Sequence, residues 1–357
     1  MMIDTDAVVI GAGPVGLFQV FQLGLLGIKA ELIDVLPEAG GQCVALYPDK
    51  PIYDIPGVPV CTGRELAQQL LLQARPFMPA DQGQATPRNL HLRQLVSELQ
   101  AHPGGGFELQ TDKGLHLRCR AVFVAAGAGA FVPKTLSLPG LDQCGNVHHH
   151  LDTPDLVPPP WAGQHLVVSG GGEEALSTIV ALADHTDAHS KPARLSLLHR
   201  RDQFQAEADL VARVQALMAS GQLDMVVGMP SGADVDQGRL TGLQVLGADS
   251  QTRTVPLDHL LIRQGMSPKL GPLTQWGLAL DRKQVAVSPA SFESSTPGIY
   301  AVGDINSYPG KKRLLLCGFH EATLAAHHAA LALHPDSPQH LLYTTTSPLL
   351  HQRLGLA

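Results

Sequence analysis

A short apolar segment that ends in spaced glycines constrains the fold of this chain more than any other feature. AVVIGAGPVG has the pattern of a buried strand followed by a tight turn, with Gly11, Gly13 and Gly16 in the spacing GxGxxG. In such a pattern the first glycine permits the turn, the second lets a phosphate approach the backbone, and the third allows close helix packing. An apolar stretch predicted to be helical at residues 17–26 and the strand KAELID follow. This order predicts a βαβ dinucleotide-binding unit.

The same order returns in the middle of the chain. HLVVSGGGEEALSTIVALA precedes ARLSLLHRR, so Gly170, Gly172 and Ala175 occupy the three positions of the related pattern GxGxxA. Near the C-terminus, GIYAVGDI leads from an apolar strand towards a helix predicted for residues 318–333. Strands that alternate with helices in this way favour parallel sheets. We expect an α/β fold with two nucleotide-binding Rossmann-like domains, each with a parallel sheet, a small antiparallel meander and flanking helices.

Two segments divide the chain into these domains. The Gly/Ala-rich AAGAGAFVPK and residues 265–268 have the composition of linkers, and each follows a predicted meander and a buried strand. We expect the second domain to be inserted into the first. Residues 1–128 and 266–357 then form the first domain, and residues 129–265 form the second.

The second strands of the two units end in side chains of opposite charge. Asp34 lies where an acidic residue binds ribose hydroxyl groups in dinucleotide-binding folds. Arg200 and Arg201 follow the corresponding strand of the second unit and suit the 2′-phosphate of NADP through charge-assisted hydrogen bonds. The alternative for the arginines is a solvated basic strand end.

Composition excludes several other classes of protein. The 357 residues carry a net charge of −7, which gives no general attraction to nucleic acid or to an anionic membrane. Residues 7–28 are apolar enough to resemble a membrane span or a signal peptide, but Asp4 and Asp6 precede them and spaced glycines interrupt them. We expect a cytoplasmic protein. The five cysteines lack CxxC spacing and the histidine clusters lack partners at ligand spacing, so we expect no metal site.

A succession of short motifs covers nearly the whole chain: GAGPVG, GGQ, ALYP, YDIPG, GAGAFVPK, GGG, HRRDQF, VGD and YTTTSP. In this succession the chain resembles the thioredoxin-reductase-like ferredoxin–NADP reductases. The resemblance implies FAD and NADP as cofactors, a homodimer, and ferredoxin or flavodoxin as electron acceptor. It makes the first domain (1–128 and 266–357) the FAD-binding domain, with a C-terminal extension, and the second (129–265) the NADP-binding domain. It implies hydride transfer between NADPH and FAD followed by single-electron transfer, with no catalytic side chain. The CxxC of thioredoxin reductases is absent, so electrons would leave directly to an external acceptor.

The glycine patterns and the resemblance together assign individual residues. Tyr47 and Tyr343 are expected to cover the two faces of the flavin, with Thr345 near its edge, and the C-terminal extension of this family commonly reaches the partner subunit's flavin. The expected FAD-binding residues are Gly11, Gly13, Pro14, Gly16, Asp34, Gly41, Gln42, Tyr47, Asp54, Val96, Phe131, Gly303, Asp304, Tyr343 and Thr345. The expected NADP-binding residues are Gly170, Gly172, Ala175, Arg200 and Arg201.

Departures from the family pattern leave alternatives open. Gln205 stands where an arginine is usual, and Glu173 and Glu174 follow the second glycine turn, so both changes reduce the positive charge near a phosphate ligand. One alternative is an NAD(P)H-dependent flavoprotein reductase with a quinone or another acceptor. The other is a flavin-binding sensor that has lost productive NADP binding.

Overall fold

The computed structural model describes residues 2–80, 86–149, 160–187, 190–336 and 340–356, without the side chains of residues 130–133 and 266–268. The chain forms two compact units, Met1–Ala130 with Pro268–Ala357, and Phe131–Ser267. The α-helices are α1 (Pro14–Leu25), α2 (Gln42–Ala45), α3 (Gly63–Ala74), α4 (Glu173–Asp184), α5 (Ala208–Ala219), α6 (Leu315–Leu333) and α7 (Pro348–Arg353).

A five-stranded parallel sheet forms the centre of the first unit. Its strands, in spatial order, are Ile299–Ala301, Ala121–Val124, Ala7–Ile10, Ala30–Ile33 and Leu90–His91. Ile10, Ile33, Val124 and Ala301 are aligned in one row, so the chain leaves all four strands at the same edge. The strand Ala7–Ile10 lies between Ala30–Ile33, which follows it in the sequence, and Ala121–Val124, which comes much later. Such a switch point opens a ligand-binding crevice beyond the strand ends.

Smaller elements complete the first unit. The predicted meander is present as a four-stranded sheet in the order Met2–Asp4, His116–Cys119, Phe107–Thr111 and Val96–Ala101. Further small sheets contain Leu280–Asp281, Gln284–Ala286 and Asn306–Ser307, and Pro51–Ile52 with Cys61–Thr62. Helix α1 contacts α3 and α6 and buries Leu17, Val20 and Leu23 in the core. It begins at Pro14, three residues before the predicted start, because proline at the first helical position has a preset φ and needs no N–H acceptor.

The second unit repeats this plan. Its parallel sheet has the order Val147–His148, His259–Ile262, His165–Ser169, Arg194–His199 and Asp224–Val227. Because successive side chains alternate between faces, Leu166 and Val168 pack with α4 and α5, whereas Val167 packs with the meander. That antiparallel meander contains Met229–Asp236, Arg239–Leu246 and Thr252–Pro256.

Three remaining features concern the chain as a whole. The strands Ala130–Pro133 and Met266–Lys269 pair as a two-stranded sheet. Of the helices in the described ranges, none has both the length and the apolar character that a membrane crossing requires. The five cysteines are free thiols, and all but Cys317 are buried, as expected for small apolar residues.

Candidate functional site

The first glycine turn lies at the switch point of the first sheet. Gly11 has φ +110°, and a Cβ there would lie 2.4 Å from the carbonyl oxygen of Ala125 on the neighbouring strand end. A Cβ at Gly16 would lie 1.8 Å from the carbonyl oxygen of Gly11. Side chains are thus excluded at both positions, and α1 begins directly against the turn.

A second pair of glycines lies against this turn. The N–H of Gly40 donates to the carbonyl oxygen of Ala12 at 2.8 Å. Gly41 has φ +57°, and a Cβ there would lie 2.8 Å from the Cα of Gly13. Gly13 is the N-cap of α1, and no side chain caps the first amides of the helix. The open N–H groups and the helix dipole at this end suit an anion such as a pyrophosphate.

Asp34 holds the turn from the adjacent strand end. It is 8% exposed, and its carboxylate accepts hydrogen bonds from the N–H groups of Ala12 (2.5 Å) and Leu36 (2.8 Å). Burial raises the pKa of the Asp34 carboxyl, while these backbone donors favour its ionised form. Each carboxylate oxygen retains acceptor capacity, so the group can also accept hydrogen bonds from ligand hydroxyls.

Val96 lies near this end of the site through the backbone. The N–H of Gln94 donates to the carbonyl oxygen of Asp34 at 2.9 Å, which brings the segment before Val96 beside the acid. The side chain of Val96 is 3% exposed and belongs to the core, so a ligand at this position could meet only its main chain.

Tyr47 lies in the loop that follows α2. Its ring is half-buried, and its hydroxyl lies 3.4 Å from the Sγ of Cys43. Burial raises the pKa of Tyr47 well above its usual range, and the contact with Cys43 and the charges of Asp304 and Asp54 raise it further. The structure therefore brings Tyr47, Asp54 and Asp304 into one neighbourhood.

Gly303 and Asp304 bring the C-terminal third of the chain to the same place. Gly303 has φ +79°, and a Cβ there would lie 3.4 Å from Val15 in the first turn of α1. A Cβ on Gly318, in the first turn of α6, would lie 2.4 Å from the same side chain. The amino ends of α1 and α6 and the loop containing Asp304 thus meet beside the glycine turn.

Gln42 reaches the third strand end of this crevice. Its side-chain nitrogen would lie 2.9 Å from a Cβ at Gly127, in the segment after Ala121–Val124. Gln42 therefore connects the segment at Gly40 and Gly41 with the predicted linker AAGAGAFVPK. The side chain of Phe131, a predicted flavin neighbour, lies outside the described residues.

The C-terminal helix α7 lies at the opposite end of α1. The guanidinium of Arg353 donates to the carbonyl oxygen of Leu25, the last residue of α1, and lies beside Gly27. Since α1 has 12 residues, its two ends are about 18 Å apart. Tyr343 accepts backbone hydrogen bonds from Thr346 and Ser347, which keep it near α7.

The two tail residues predicted to meet a flavin present their side chains to solvent. Tyr343 is 63% exposed and Thr345 is exposed. Among the described residues, the ring of Tyr343 has no aromatic partner.

The second glycine turn lies at the switch point of the second sheet. A Cβ at Gly170 would lie 2.2 Å from the carbonyl oxygen of Arg263 and 2.7 Å from the Cβ of Ala175. Gly172 is the N-cap of α4, and again no side chain caps the helix. A Cβ at Gly172 would be 3.9 Å from the nearest atom, so the approach to these amides is open.

The side chains beyond the adjacent strand are basic and exposed. Arg200 and Arg201 are both exposed, and within the described ranges neither forms an ion pair. The N–H of Gln205 donates to the carbonyl oxygen of Gly171 at 2.9 Å, so its backbone closes the same crevice. His199 packs its ring against Gly171, where a Cβ would lie 2.4 Å from Nε2. Burial lowers the pKa of His199, and the two arginines lower it further.

Arg263 is a residue of this site that the sequence did not reveal. It follows the third strand of the switch point, and its Nη1 lies 2.8 Å from Oε1 of Glu174. Its Nε donates to Thr178 at 3.2 Å. From the sequence, Glu174 is expected to add a negative charge at the start of α4. In the structure Arg263 compensates that charge. Glu173 also has an interaction partner. Only the regular position of Arg263 after a buried strand could have indicated it.

Known proteins provide an independent assignment. Residues 5–330 match the family described as pyridine nucleotide-disulphide oxidoreductase. This chain belongs to that family. It is similar to the ferredoxin–NADP reductase of Paracidovorax citrulli, with 51% identity over 100% of this chain and 97% of that protein. A second similar protein is the ferredoxin–NADP reductase of Verminephrobacter eiseniae, with 51% identity over 100% of this chain and 98% of that protein.

Solved structures agree on the fold. The chain is similar to a bacillithiol disulfide reductase from Staphylococcus aureus, with a TM-score of 0.64, 15% identity, and coverage of 93% of this chain and 99% of that one. It is also similar to the thioredoxin reductase of Lactococcus lactis, with a TM-score of 0.59, 17% identity and the same coverage. The fold is thus that of the two-domain, thioredoxin-reductase-like flavoproteins.

The residues present fit the two cofactors of this oxidoreductase family, FAD and NADP(H). In the first unit the fit rests on facing glycines, an uncapped helix and a buried carboxylate that remains able to accept hydroxyl hydrogens. In the second unit it rests on an open N-cap glycine and exposed arginines next to it. A Cβ at Gly41 would fill the space beside Gly13 at the start of α1.

Proposed function

We propose that the protein is an FAD-dependent ferredoxin–NADP reductase. It transfers hydride between NADPH and FAD, and single electrons to ferredoxin or flavodoxin. The observation that carries this proposal is the pair of glycine turns at two switch points, one beside a buried acid and one beside exposed arginines. Full-length relatives named ferredoxin–NADP reductase support the choice of acceptor. The electron acceptor is what separates this proposal from a quinone reductase.

The first unit is proposed to hold FAD. The chemistry that bound FAD supplies is the conversion of a two-electron hydride input into single-electron output. The residues around Gly13 and Gly41 bind the pyrophosphate through the amino end of α1. Asp34 accepts hydrogen bonds from the adenosine ribose, and the backbone at Val96 faces the adenine. Gly303 and Asp304 bind the remaining hydroxyls, and Tyr47 covers one face of the flavin with Asp54 near its edge.

The second unit is proposed to bind NADP(H). Gly170, Gly172 and Ala175 place the amino end of α4 against the pyrophosphate. Arg200 and Arg201 bind the 2′-phosphate and thereby select NADPH over NADH. The pairing of Glu174 with Arg263 removes part of the argument for a sensor that has lost NADP binding.

The C-terminal tail is proposed to act between subunits of a cytoplasmic homodimer. The exposure of Tyr343, together with the anchorage of α7 at the carboxyl end of α1, supports this, because the ring is available to a second subunit. Tyr343 then covers the free face of the partner subunit's flavin, with Thr345 at the ring edge. Free thiols at all five cysteines agree with a reducing compartment.

Rapid mixing tests the activity. Anaerobic NADPH should bleach the flavin absorbance at lower concentration than NADH, and subsequent mixing with oxidised ferredoxin should restore it. No bleaching by either nucleotide would support the sensor. Reoxidation by a quinone but not by ferredoxin or flavodoxin would support the alternative acceptor.

Deletion of residues 343–357 tests the tail. The shortened protein should retain FAD but show an altered flavin spectrum and a changed rate of reduction by NADPH. Heterodimers of a Tyr47→Ala subunit with a tail-deleted subunit then reveal which chain covers which flavin. An unchanged spectrum and rate after deletion would exclude the tail from the site.

A further inference from the structure

A buried ion pair lies beneath the loop that contains Asp304. Glu321 of α6 is completely buried, and the side chain of Lys311 is 9% exposed. Their closest charged atoms, Nζ and Oε1, are 2.5 Å apart. In the sequence, Lys311, Lys312 and Arg313 form a basic run of the kind that usually lies in solvent. The structure assigns Lys311 to the interior.

The two charges hold one peptide segment from both sides. The Oε2 atom of Glu321 accepts hydrogen bonds from the N–H of Gly303 at 2.7 Å and from Asn306 at 2.8 Å. Lys311 donates to the carbonyl oxygen of Gly303 at 2.8 Å. The remaining oxygen of Glu321 also accepts from the hydroxyl of Tyr308 at 2.9 Å. The N–H and C=O of Gly303 are therefore fixed by opposite charges of a single pair.

This arrangement bears directly on Asp304. Gly303 has φ +79° and precedes Asp304, so its peptide orientation sets the direction of the next side chain. Burial raises the pKa of Asp304, whereas the charges of Lys311 and Arg313 favour its ionised form. Lys311 thus compensates the charge of Glu321 and also helps to keep a neighbouring hydrogen-bond acceptor charged.

Stability alone does not account for such a pair. Removing two charges from water carries a penalty that their mutual attraction barely offsets, and apolar replacements are often at least as stable. A buried pair that fixes a backbone group has a role in geometry instead. We propose that Lys311 and Glu321 are positioning residues of the FAD site, which hold Gly303 and Asp304 in the orientation that binds the cofactor. This inference rests on the proposed binding of FAD to the first unit.

The test compares FAD binding by apoproteins of four variants. Lys311→Met leaves the Glu321 carboxylate buried and unpaired, so the loop should rearrange and the dissociation constant for FAD should rise at least about tenfold. The double variant Lys311→Met/Glu321→Gln removes both charges and should recover part of that loss. The dissociation constant of Glu321→Gln alone should lie between those of Lys311→Met and the double variant. Lys312→Met, at the exposed neighbouring lysine, is the matched control and should bind as the wild type does.

Two further measurements separate positioning from folding. The visible absorption and circular dichroism spectra of the bound flavin should differ between Lys311→Met and Lys312→Met, since a displaced Asp304 changes the surroundings of the cofactor. The unfolding midpoint of each apoprotein reports stability. A lower midpoint with an unchanged dissociation constant and spectrum would show a merely structural pair and overturn the inference.

The test still gives an answer if Lys311→Met fails to fold. The double variant then decides, because it carries no unpaired charge: FAD affinity equal to the wild type would overturn the inference, and weaker affinity with an altered spectrum would support it. A wild-type apoprotein that binds no FAD would contradict the proposed function itself, which is a separate outcome.

Discussion

The two glycine turns share a backbone plan but differ in their surroundings. Gly11 and Gly170 each donate an N–H to the adjacent strand, to the carbonyl oxygens of Ile33 and Leu198. The next residues in that strand are therefore equivalent, and they are Asp34 in the first unit and His199 in the second. Asp34 is buried and bonded to the turn, whereas the second turn lies beside exposed arginines.

This difference indicates two modes of binding. In the first unit the loop at Gly41, the segment before Val96 and the loop at Asp304 all lie against the glycine turn or the adjacent Asp34 and α1. A ligand enclosed from several sides dissociates slowly, as a resident cofactor must. In the second unit the charged groups remain in solvent, which suits a nucleotide that binds and leaves in each turnover.

The largest expected effect comes from the third position of the pattern. Gly16→Ala places a Cβ 1.8 Å from a backbone oxygen, where no side chain can move away. We expect loss of bound FAD and a free energy of unfolding lower by at least about 2 kcal/mol. FAD content after purification and thermal unfolding measure both. The control is Ala175→Gly at the equivalent position, which should keep its FAD, and a fully loaded Gly16→Ala protein would contradict the steric argument.

The second prediction concerns nucleotide choice. Arg200→Ala/Arg201→Ala should raise the half-saturating NADPH concentration about a hundredfold, since two charge-assisted hydrogen bonds contribute about 1.5 kcal/mol each. The value for NADH and the FAD content should stay unchanged. Arg194→Ala, at the other end of the same strand, is the control because Arg194 pairs with Asp224. An unchanged ratio of NADPH to NADH in the double variant would refute the assignment.

These two predictions use residues that could be found from sequence, for a physical reason. Glycines in fixed spacing after an apolar strand report local geometry, and the turns at Gly11 and Gly170 need only neighbours that the βαβ order supplies. The fold class followed from the same local signals. Asp34 and Arg200 could be found in the same way, because both follow buried parallel strands, whose carboxyl ends lie at one edge of a sheet.

Other contacts could not be predicted because no local pattern specifies them. Arg263 meets Glu174 across 89 positions of the chain. Lys311 is one of three consecutive basic residues, and only the structure shows its pairing with Glu321. The burial of Lys311 depends on the packing of α6, which a single sequence does not report. For Tyr343 and Thr345, the motif YTTTSP carried the resemblance, but no sequence pattern indicates that α7 is anchored at the carboxyl end of α1.

The third prediction sharpens the electrostatic difference between the turns. Arg263→Gln should leave Glu174 uncompensated at the amino end of α4 and weaken NADPH binding about tenfold. Glu174→Gln alone should change it less than about threefold, because Arg263 already compensates that carboxylate. The combined variant should bind nearly as well as the wild type. Additive losses in the double variant would show that Arg263 acts on the nucleotide directly and not through Glu174.

The smallest expected effect is a difference in pH dependence between Asp34 and His199. The pKa of His199 is lowered in the folded protein, so between that value and about 6.5 the unfolded chain binds the extra proton. Its contribution to stability is present above about pH 6.5 and is lost as the pH falls towards the folded pKa. The pKa of Asp34 is raised instead, so stability from that group falls as the pH rises from about 4 towards its folded value.

Single variants separate these opposite slopes. His148, His165 and His259 also have pKa values lowered by burial, so the informative quantity is the difference between His199→Asn and the wild type. Unfolding midpoints measured from pH 5 to 8 should depend less on pH in His199→Asn, and the two curves should converge at the alkaline end if the asparagine packs equally well against Gly171. Asp34→Asn should change the slope of the stability curve only in the acid range, from about pH 4 up to the raised pKa of that group. If His199→Asn retained the full pH dependence of the wild type, the imidazole of His199 would have the same pKa in the folded and unfolded proteins. The two turns would then differ in their geometry but not in the titration of these groups.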